Sequence, residues 1–240
     1  MMRLTKYRFN VLADQYGILV AYPDGIRRGW NDGRGGRRAL AGREQVDDAG
    51  FLDTLVKTLE TRLPVDPGRI AVAGISNGGM MALRMGCDPH LKVRLVCSVA
   101  ASMPVDDLPL LHAVRGVSLA LFDGTDDPIV PFHGGEVRVL WQNRGTVVGA
   151  DSTIALWRAE NSCAAHARLR TIQAPDGETP VSVTEYGDCT EGVRIVEYRI
   201  EGGGHTWPGG TQYLPRWIVG RTTEAINACD EIVRLLEELR

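Results

Sequence analysis

Ile70-Ala71-Val72-Ala73-Gly74-Ile75-Ser76-Asn77-Gly78-Gly79 decides the reading of this chain. A short apolar run enters a Gly-x-Ser-x-Gly turn, and a helical pattern (Met80, Met81, Leu83, Met85) follows at once. Strand, tight turn and helix in that order put the serine at the apex of a strained bend. Its hydroxyl is then held clear of the sheet at a helix N-terminus, where the helix dipole favours developing negative charge. The flanking glycines are expected where a side chain would collide with the neighbouring strand or helix. Ser76 therefore reads as a nucleophile. The competing reading is a glycine-rich strand-to-helix turn with a capping serine.

Outward from this turn, apolar runs and helical periodicities alternate. Residues 3–16 read as a helix stopped by Gly17, and Ile18-Leu19-Val20-Ala21-Tyr22 as a buried strand closed by Pro23-Asp24-Gly25. Residues 25–43 form a Gly/Arg-rich loop. Residues 45–63 read as a helix, 69–75 as the strand feeding Ser76, and 78–87 as the helix after it. Further strands are expected at 93–101, 117–122 and 193–200, with helices at 151–162 and 222–239. The alternation predicts an α/β fold with a mostly parallel central sheet and helices on both faces. With 240 residues, 44% hydrophobic, and no internal repeat or linker, residues 1–240 read as a single domain.

Composition narrows the partners. The net charge is −3, which does not suit a phosphate-binding surface. Arg27, Arg28, Arg34, Arg37, Arg38 and Arg43 are local, interleaved with glycines and without an aromatic ladder, so they read as a solvated loop rather than a nucleic-acid site. No apolar run approaches the roughly 20 residues of a membrane span, and no secretory signal is visible at Met1-Met2-Arg3-Leu4-Thr5-Lys6. Of the five cysteines none forms a CxxC pair, and no two histidines have ligand spacing, so neither metal nor cofactor is called for. Cys87 and Cys97 suit buried apolar positions. Cys163 and Cys189 lie in polar, loop-like surroundings that suit a disulfide better, and the odd total leaves at least one free thiol.

A serine needs a base, and the base an orienting acid. After the strand ending at Phe122 comes Asp123-Gly124-Thr125-Asp126-Asp127-Pro128. Asp127 is the first choice of acid, Asp126 the alternative and Asp123 a third; ordinary turn aspartates are the competing reading. After the strand ending near Ile200 comes Glu201-Gly202-Gly203-Gly204-His205, and a histidine held by a glycine run at a strand's end can be presented to a distant serine. His90, His112 and His166 lack such a setting. His133 lies near Asp127 in sequence and could line a pocket.

Three stretches now carry a resemblance. Gly-Ile-Ser-Asn-Gly-Gly-Met-Met, Gly-Thr-Asp-Asp-Pro-Ile-Val-Pro-Phe-His-Gly-Gly and Gly-Gly-Gly-His-Thr-Trp-Pro-Gly-Gly look like the signatures of the esterase-type polyhydroxybutyrate depolymerases and their feruloyl and acetylxylan esterase relatives. Tyr22-Pro23-Asp24-Gly25, Gly29-Trp30-Asn31 and Val46-Asp47-Asp48-Ala49-Gly50-Phe51 fit the same family, so the match runs from about residue 9 to residue 239. The resemblance implies an α/β-hydrolase fold and a Ser76, Asp127, His205 triad cleaving carboxylic esters: polyester, feruloyl or acetyl-sugar esters. It also implies secretion and a Cys163–Cys189 bridge. In that pattern the Asn77 backbone N–H donates to the oxyanion, and Trp30, Asn31, Trp207 and His133 are candidates for the substrate pocket.

The chain departs from the family at its start. In the family a further strand precedes the first helix, ends in a His-Gly loop that supplies a second oxyanion donor, and lies in the sheet order between the 18–22 strand and the 70–75 strand. Its absence from this sequence implies an N-terminally truncated sheet, through a downstream start codon, a fragment, or a rearrangement in which those two strands pair directly. Asp123 stands where relatives often carry histidine. Besides the esterase, a serine peptidase of the same fold and an inactive remnant or binding protein are the alternatives.

Overall fold

The structure, a computed structural model, describes residues 1–34 and 46–239; Arg37, Arg38 and Arg43 of the basic stretch lie outside the described residues. In chain order its regular elements are α1 (Arg8–Tyr16), α2 (Asp48–Arg62), β1 (Ala71–Ile75), α3 (Asn77–Gly86), β2 (Leu95–Val99), β3 (Ser118–Gly124), β4 (Gly134–Val139), β5 (Gln142–Val148), α4 (Ala150–Glu160), β6 (Ala167–Ile172), β7 (Val181–Tyr186), β8 (Ile195–Ile200), α5 (Arg216–Val219) and α6 (Ala228–Glu238). Six strands form one mixed sheet in the order β1-β2-β3-β8-β7-β6. The pairs from β1 to β8 are parallel, whereas β7 is antiparallel to both of its neighbours.

Alternation along these strands splits the core into two layers. Leu95, Cys97, Val99, Ala120, Phe122, Val196 and Tyr198 face one side, where Phe9 and Leu12 of α1 and Ile232, Val233 and Leu235 of α6 cover them. Val96, Leu119, Leu121 and Ile195 face the other, under Leu52 of α2, Met81, Leu83 and Met85 of α3 and Ile154 and Trp157 of α4. Both faces of the parallel strands are thus buried, which is why these strands read as continuous apolar runs rather than alternating ones. No helix among the described residues is long and apolar enough to cross a membrane.

Several expectations need correction. Residues 18–22 form no strand. They run alongside the first core layer with Ile18, Val20 and Tyr22 packed against it and Leu19 exposed. Among the described residues they do not pair with β1, so the direct pairing of these two segments is not seen, and β1 ends the sheet. An apolar run marks burial, but a ladder also needs a neighbour. The first helix begins at Arg8 rather than residue 3, because Lys6 and Tyr7 take left-handed φ of 51° and 60°. The last helix begins at Ala228, where the Asn227 side chain accepts from Cys229 N–H. The connection at residues 132–150 contains the β4–β5 hairpin. β6 and β7 were not foreseen either, since their short runs of mixed polarity resemble loop sequence.

Cys163 and Cys189 form a disulfide across 26 positions, tying the end of α4 to the segment entering β8. Cys87, Cys97 and Cys229 are free and buried. Burial pushes the Cys87 and Cys229 thiols up to about 12 and Cys97 further. The native protein is therefore expected to resist iodoacetamide at pH 8 until it is denatured. Reduction of the one bridge should lower unfolding stability by roughly 3.5 kcal/mol, the chain-entropy value for a loop of this length. Unchanged denaturant midpoints with and without reductant would contradict the second expectation.

Candidate active site

Ser76 sits between β1 and α3 with φ 56° and ψ −123°, a conformation L-residues rarely adopt. Surrounding structure holds it there: its N–H donates to Val99 O at 2.9 Å and its carbonyl accepts from Met80 N–H at 2.9 Å. The glycine requirement differs from the motif's symmetry. A Cβ at Gly74 would lie 2.2 Å from Gly78 C, and one at Gly79 2.9 Å from both Ala101 Cβ and Ser98 Oγ. At Gly78 the nearest atom would be Trp30 Nε1, 3.9 Å away. Gly74 and Gly79 thus let helix and sheet close, while Gly78 leaves room beside an indole.

His205 lies in the glycine loop after β8, buried, with Nδ1 2.8 Å from Asp127 Oδ2. The side chains of this pair are 5% and 2% exposed, so water does not compete for the bond. The other carboxylate oxygen, Oδ1, accepts from the N–H groups of Ile129 (2.7 Å) and Val130 (2.9 Å). Every polar atom of that carboxylate has a fixed partner. The histidine backbone is held equally: its N–H donates to Val219 O at 2.6 Å, at the end of α5, and its carbonyl accepts from the Tyr213 hydroxyl at 3.0 Å. A Cβ at Gly204 would lie 2.1 Å from Val219 O, so the approach of α5 needs the glycine. Tyr213 was not singled out in the sequence; a tyrosine eight residues after the histidine carries no local signal.

Because β1, β3 and β8 are parallel, Ser76, Asp127 and His205 all follow the C-terminal ends of their strands, at the same end of the sheet. Asp126 is exposed, and its Oδ1 accepts from the Thr125 hydroxyl at 3.4 Å. Asp123 is buried on β3; its Oδ1 accepts from Ala101 N–H at 2.9 Å and its Oδ2 has no hydrogen-bond partner among the described residues. Burial first, and the neighbouring Asp127 charge second, raise its carboxyl well above the ordinary range. Of the three aspartates it is Asp127 that bonds the imidazole, while Asp123 closes the turn after β2.

The remaining candidates divide. Trp207 is a correction: it is fully buried, edge-on to Phe9 at 6.0 Å, and belongs to the core under α1 and α6 rather than to a pocket wall. Asn31 is committed to its own loop, donating from Nδ2 to Val46 O (3.1 Å) and from its backbone to Asp48 Oδ2 (2.6 Å). Trp30 is half-buried beside Gly78 at the elbow. His133 is exposed, edge-on to Phe132. The Trp30 loop is anchored by Asp32, which is 1% exposed and pairs with Arg34 at 2.5 Å.

Asp107 packs against Gly33 of that loop. Burial, outweighing the attraction of Arg84, pushes its carboxyl up to about 6 from 3.8. Between those values the unfolded chain holds fewer protons than the folded one, so rising pH favours unfolding. The contribution is fully present below pH 3.8 and lost as pH rises through about 6. Asp107→Asn is expected to remove on the order of 2–3 kcal/mol of this pH-linked loss. Urea titrations at pH 4 and pH 8 measure it; equal slopes in variant and wild type would count against it.

No protein-family model matches the chain. Among curated proteins it is similar to "Putative esterase NocK" of Nocardia uniformis subsp. tsuyamanensis, 29% identical over 95% of this chain and 67% of that one. It is similar to "Feruloyl esterase B" of Piromyces equi, 29% identical over 79% of this chain and 34% of that one. "Feruloyl esterase D" of Neurospora crassa is 24% identical over 84% of this chain and 58% of its own length. The chain thus spans about two thirds of the first of these relatives and less of the other two.

Proposed function

We propose that this relative of esterases is an α/β-hydrolase that cleaves carboxylic esters with Ser76 as nucleophile, His205 as base and Asp127 as orienting acid. The observation that carries the reading is the buried 2.8 Å bond between His205 Nδ1 and Asp127 Oδ2, at the same C-terminal end of the parallel strands as the strained Ser76 elbow. With Nδ1 donating to a carboxylate, Nε2 is the nitrogen left to accept a proton. A bare glycine turn capped by serine would need neither partner.

In this mechanism Ser76 Oγ attacks the ester carbonyl carbon while His205 Nε2 takes its proton, and Asp127 stabilises the imidazolium. The carbonyl oxygen becomes an oxyanion at the first turn of α3, where the Asn77 N–H has no intrahelical acceptor. The intermediate collapses, the ester C–O bond breaks, and His205 returns the proton to the departing alcohol. Water, deprotonated by the same imidazole, then cleaves the acyl-enzyme and Ser76 recovers its proton. The side chains present supply every proton transfer, so the cycle uses no cofactor.

The two relatives named feruloyl esterases favour feruloyl esters as the substrate class, with acetyl-sugar esters and polyester as the further classes that the sequence resemblance implies. The Cys163–Cys189 bridge favours an oxidising, extracellular setting. A fluorophosphonate probe followed by peptide mapping tests the chemistry, alongside p-nitrophenyl acetate turnover. Label on Ser76 with ester turnover is expected. A folded protein with neither, or one that cleaves peptides but not esters, would overturn the reading.

A further inference from the structure

The residue after the nucleophile has two separate tasks available, because its backbone and side chain point to different partners. The Asn77 side chain makes three hydrogen bonds. Its Oδ1 accepts from Trp30 N–H at 2.7 Å, and its Nδ2 donates to Trp30 O at 3.0 Å and to Asp32 Oδ2. A carboxamide holding both polar groups of one backbone residue imitates a strand neighbour, so Trp30 is fixed in direction as well as place. The remaining N–H is spent on a carboxylate 1% exposed and paired with Arg34. Arg84 of α3 adds a bond of 3.1 Å to Asn31 O. The loop carrying Trp30 is therefore latched to the helix that starts at the nucleophile, and the indole Nε1 lies 3.9 Å from where a Cβ at Gly78 would stand.

We propose that the Asn77 carboxamide is a positioning residue that holds Trp30 as the acyl-side wall of the Ser76 site and so sets which acyl groups are accepted. The proposal rests on the ester-hydrolase reading above. No side chain other than a carboxamide of this length makes the same set of bonds. Aspartate lacks both donors and would set a second carboxylate against Asp32. Alanine leaves Trp30 N–H, Trp30 O and Asp32 Oδ2 each short of a partner. In all these variants the backbone N–H of residue 77 remains, so an effect of the side chain is separable from loss of an oxyanion donor.

The test is a double-mutant cycle on selectivity. Turnover of p-nitrophenyl acetate and p-nitrophenyl butyrate is measured for wild type, Asn77→Ala, Trp30→Ala and the double variant, with Ser76→Ala as the blank. Asn77→Ala is expected to change the butyrate-to-acetate ratio of kcat/KM by about tenfold, the scale of a misplaced pocket wall. The same change is expected in Trp30→Ala, with little more in the double variant, because one wall cannot be lost twice. A ratio unchanged by Asn77→Ala, or two changes that multiply in the double variant, overturns the proposal while leaving the hydrolase reading intact. Turnover in the wild type that survives Ser76→Ala removes the hydrolase reading and the proposal with it. Should Asn77→Ala not fold by circular dichroism, Asn77→Ser is measured by the same criteria, since its hydroxyl cannot reach both Trp30 groups.

Discussion

Ser76→Ala lowers kcat/KM for p-nitrophenyl esters by at least about 10⁴-fold, because nothing else at the elbow can form the acyl-enzyme. Stability should hardly change. The Ser76 side chain makes no cap hydrogen bond to α3, and alanine meets the same penalty as serine at φ 56°. Ser76→Gly separates the two properties. Glycine adopts this conformation without strain, so that variant should be as inactive as alanine yet more stable, by about 1 kcal/mol or more. Activity assays beside urea denaturation check both halves. An alanine variant within tenfold of wild type would remove Ser76 from the mechanism. A glycine variant no more stable than alanine would mean that the bend stores no strain.

Asp127→Asn is the second large effect, expected at about 10⁴-fold in kcat. The cause is specific to how this carboxylate is held. Oδ1 already accepts two backbone N–H groups, from Ile129 and Val130, so the amide oxygen of asparagine must occupy that position. Its NH₂ is then forced against His205 Nδ1. The imidazole answers by accepting at Nδ1 and carrying its proton on Nε2, the tautomer that cannot take a proton from serine. The fold should survive, since the new amide keeps all three bonds. Steady-state kinetics with a thermal melt decides the matter: a loss under a hundredfold would mean that Asp127 does not set the tautomer.

The site was more legible in the sequence than the sheet was. The candidates Ser76, Asp127 and His205 each follow a recognisable strand and sit among glycines or turn residues whose spacing is local, so a linear reading can single them out. The Asp127 bond also separates it from Asp126 and Asp123, which the spacing left open. Trp207 misled because a tryptophan two residues from the histidine looks alike in a loop and in a core; only the packing of Phe9, nearly two hundred positions away, tells them apart. The side-chain bonds of Asn77, whose backbone alone the sequence singled out, and the part played by Tyr213 were hidden for the same reason. Their bonds, to Trp30 and to the His205 carbonyl, close over distances that no local pattern encodes. The run at 18–22 shows the converse, since its apolar character was real but the pairing partner it suggested is not beside it.

Trp207 carries a consequence for heat. The loop presenting His205 does not end in solvent but passes within two residues into the core layer shared by α1 and α6. A loop anchored in this way has no easy route to local melting, because releasing it would draw a fully buried indole out of the core. Thermal inactivation of this protein should therefore coincide with the cooperative collapse of the whole domain rather than precede it. The temperature at which the site fails is then set by contacts on the far side of the sheet from α3.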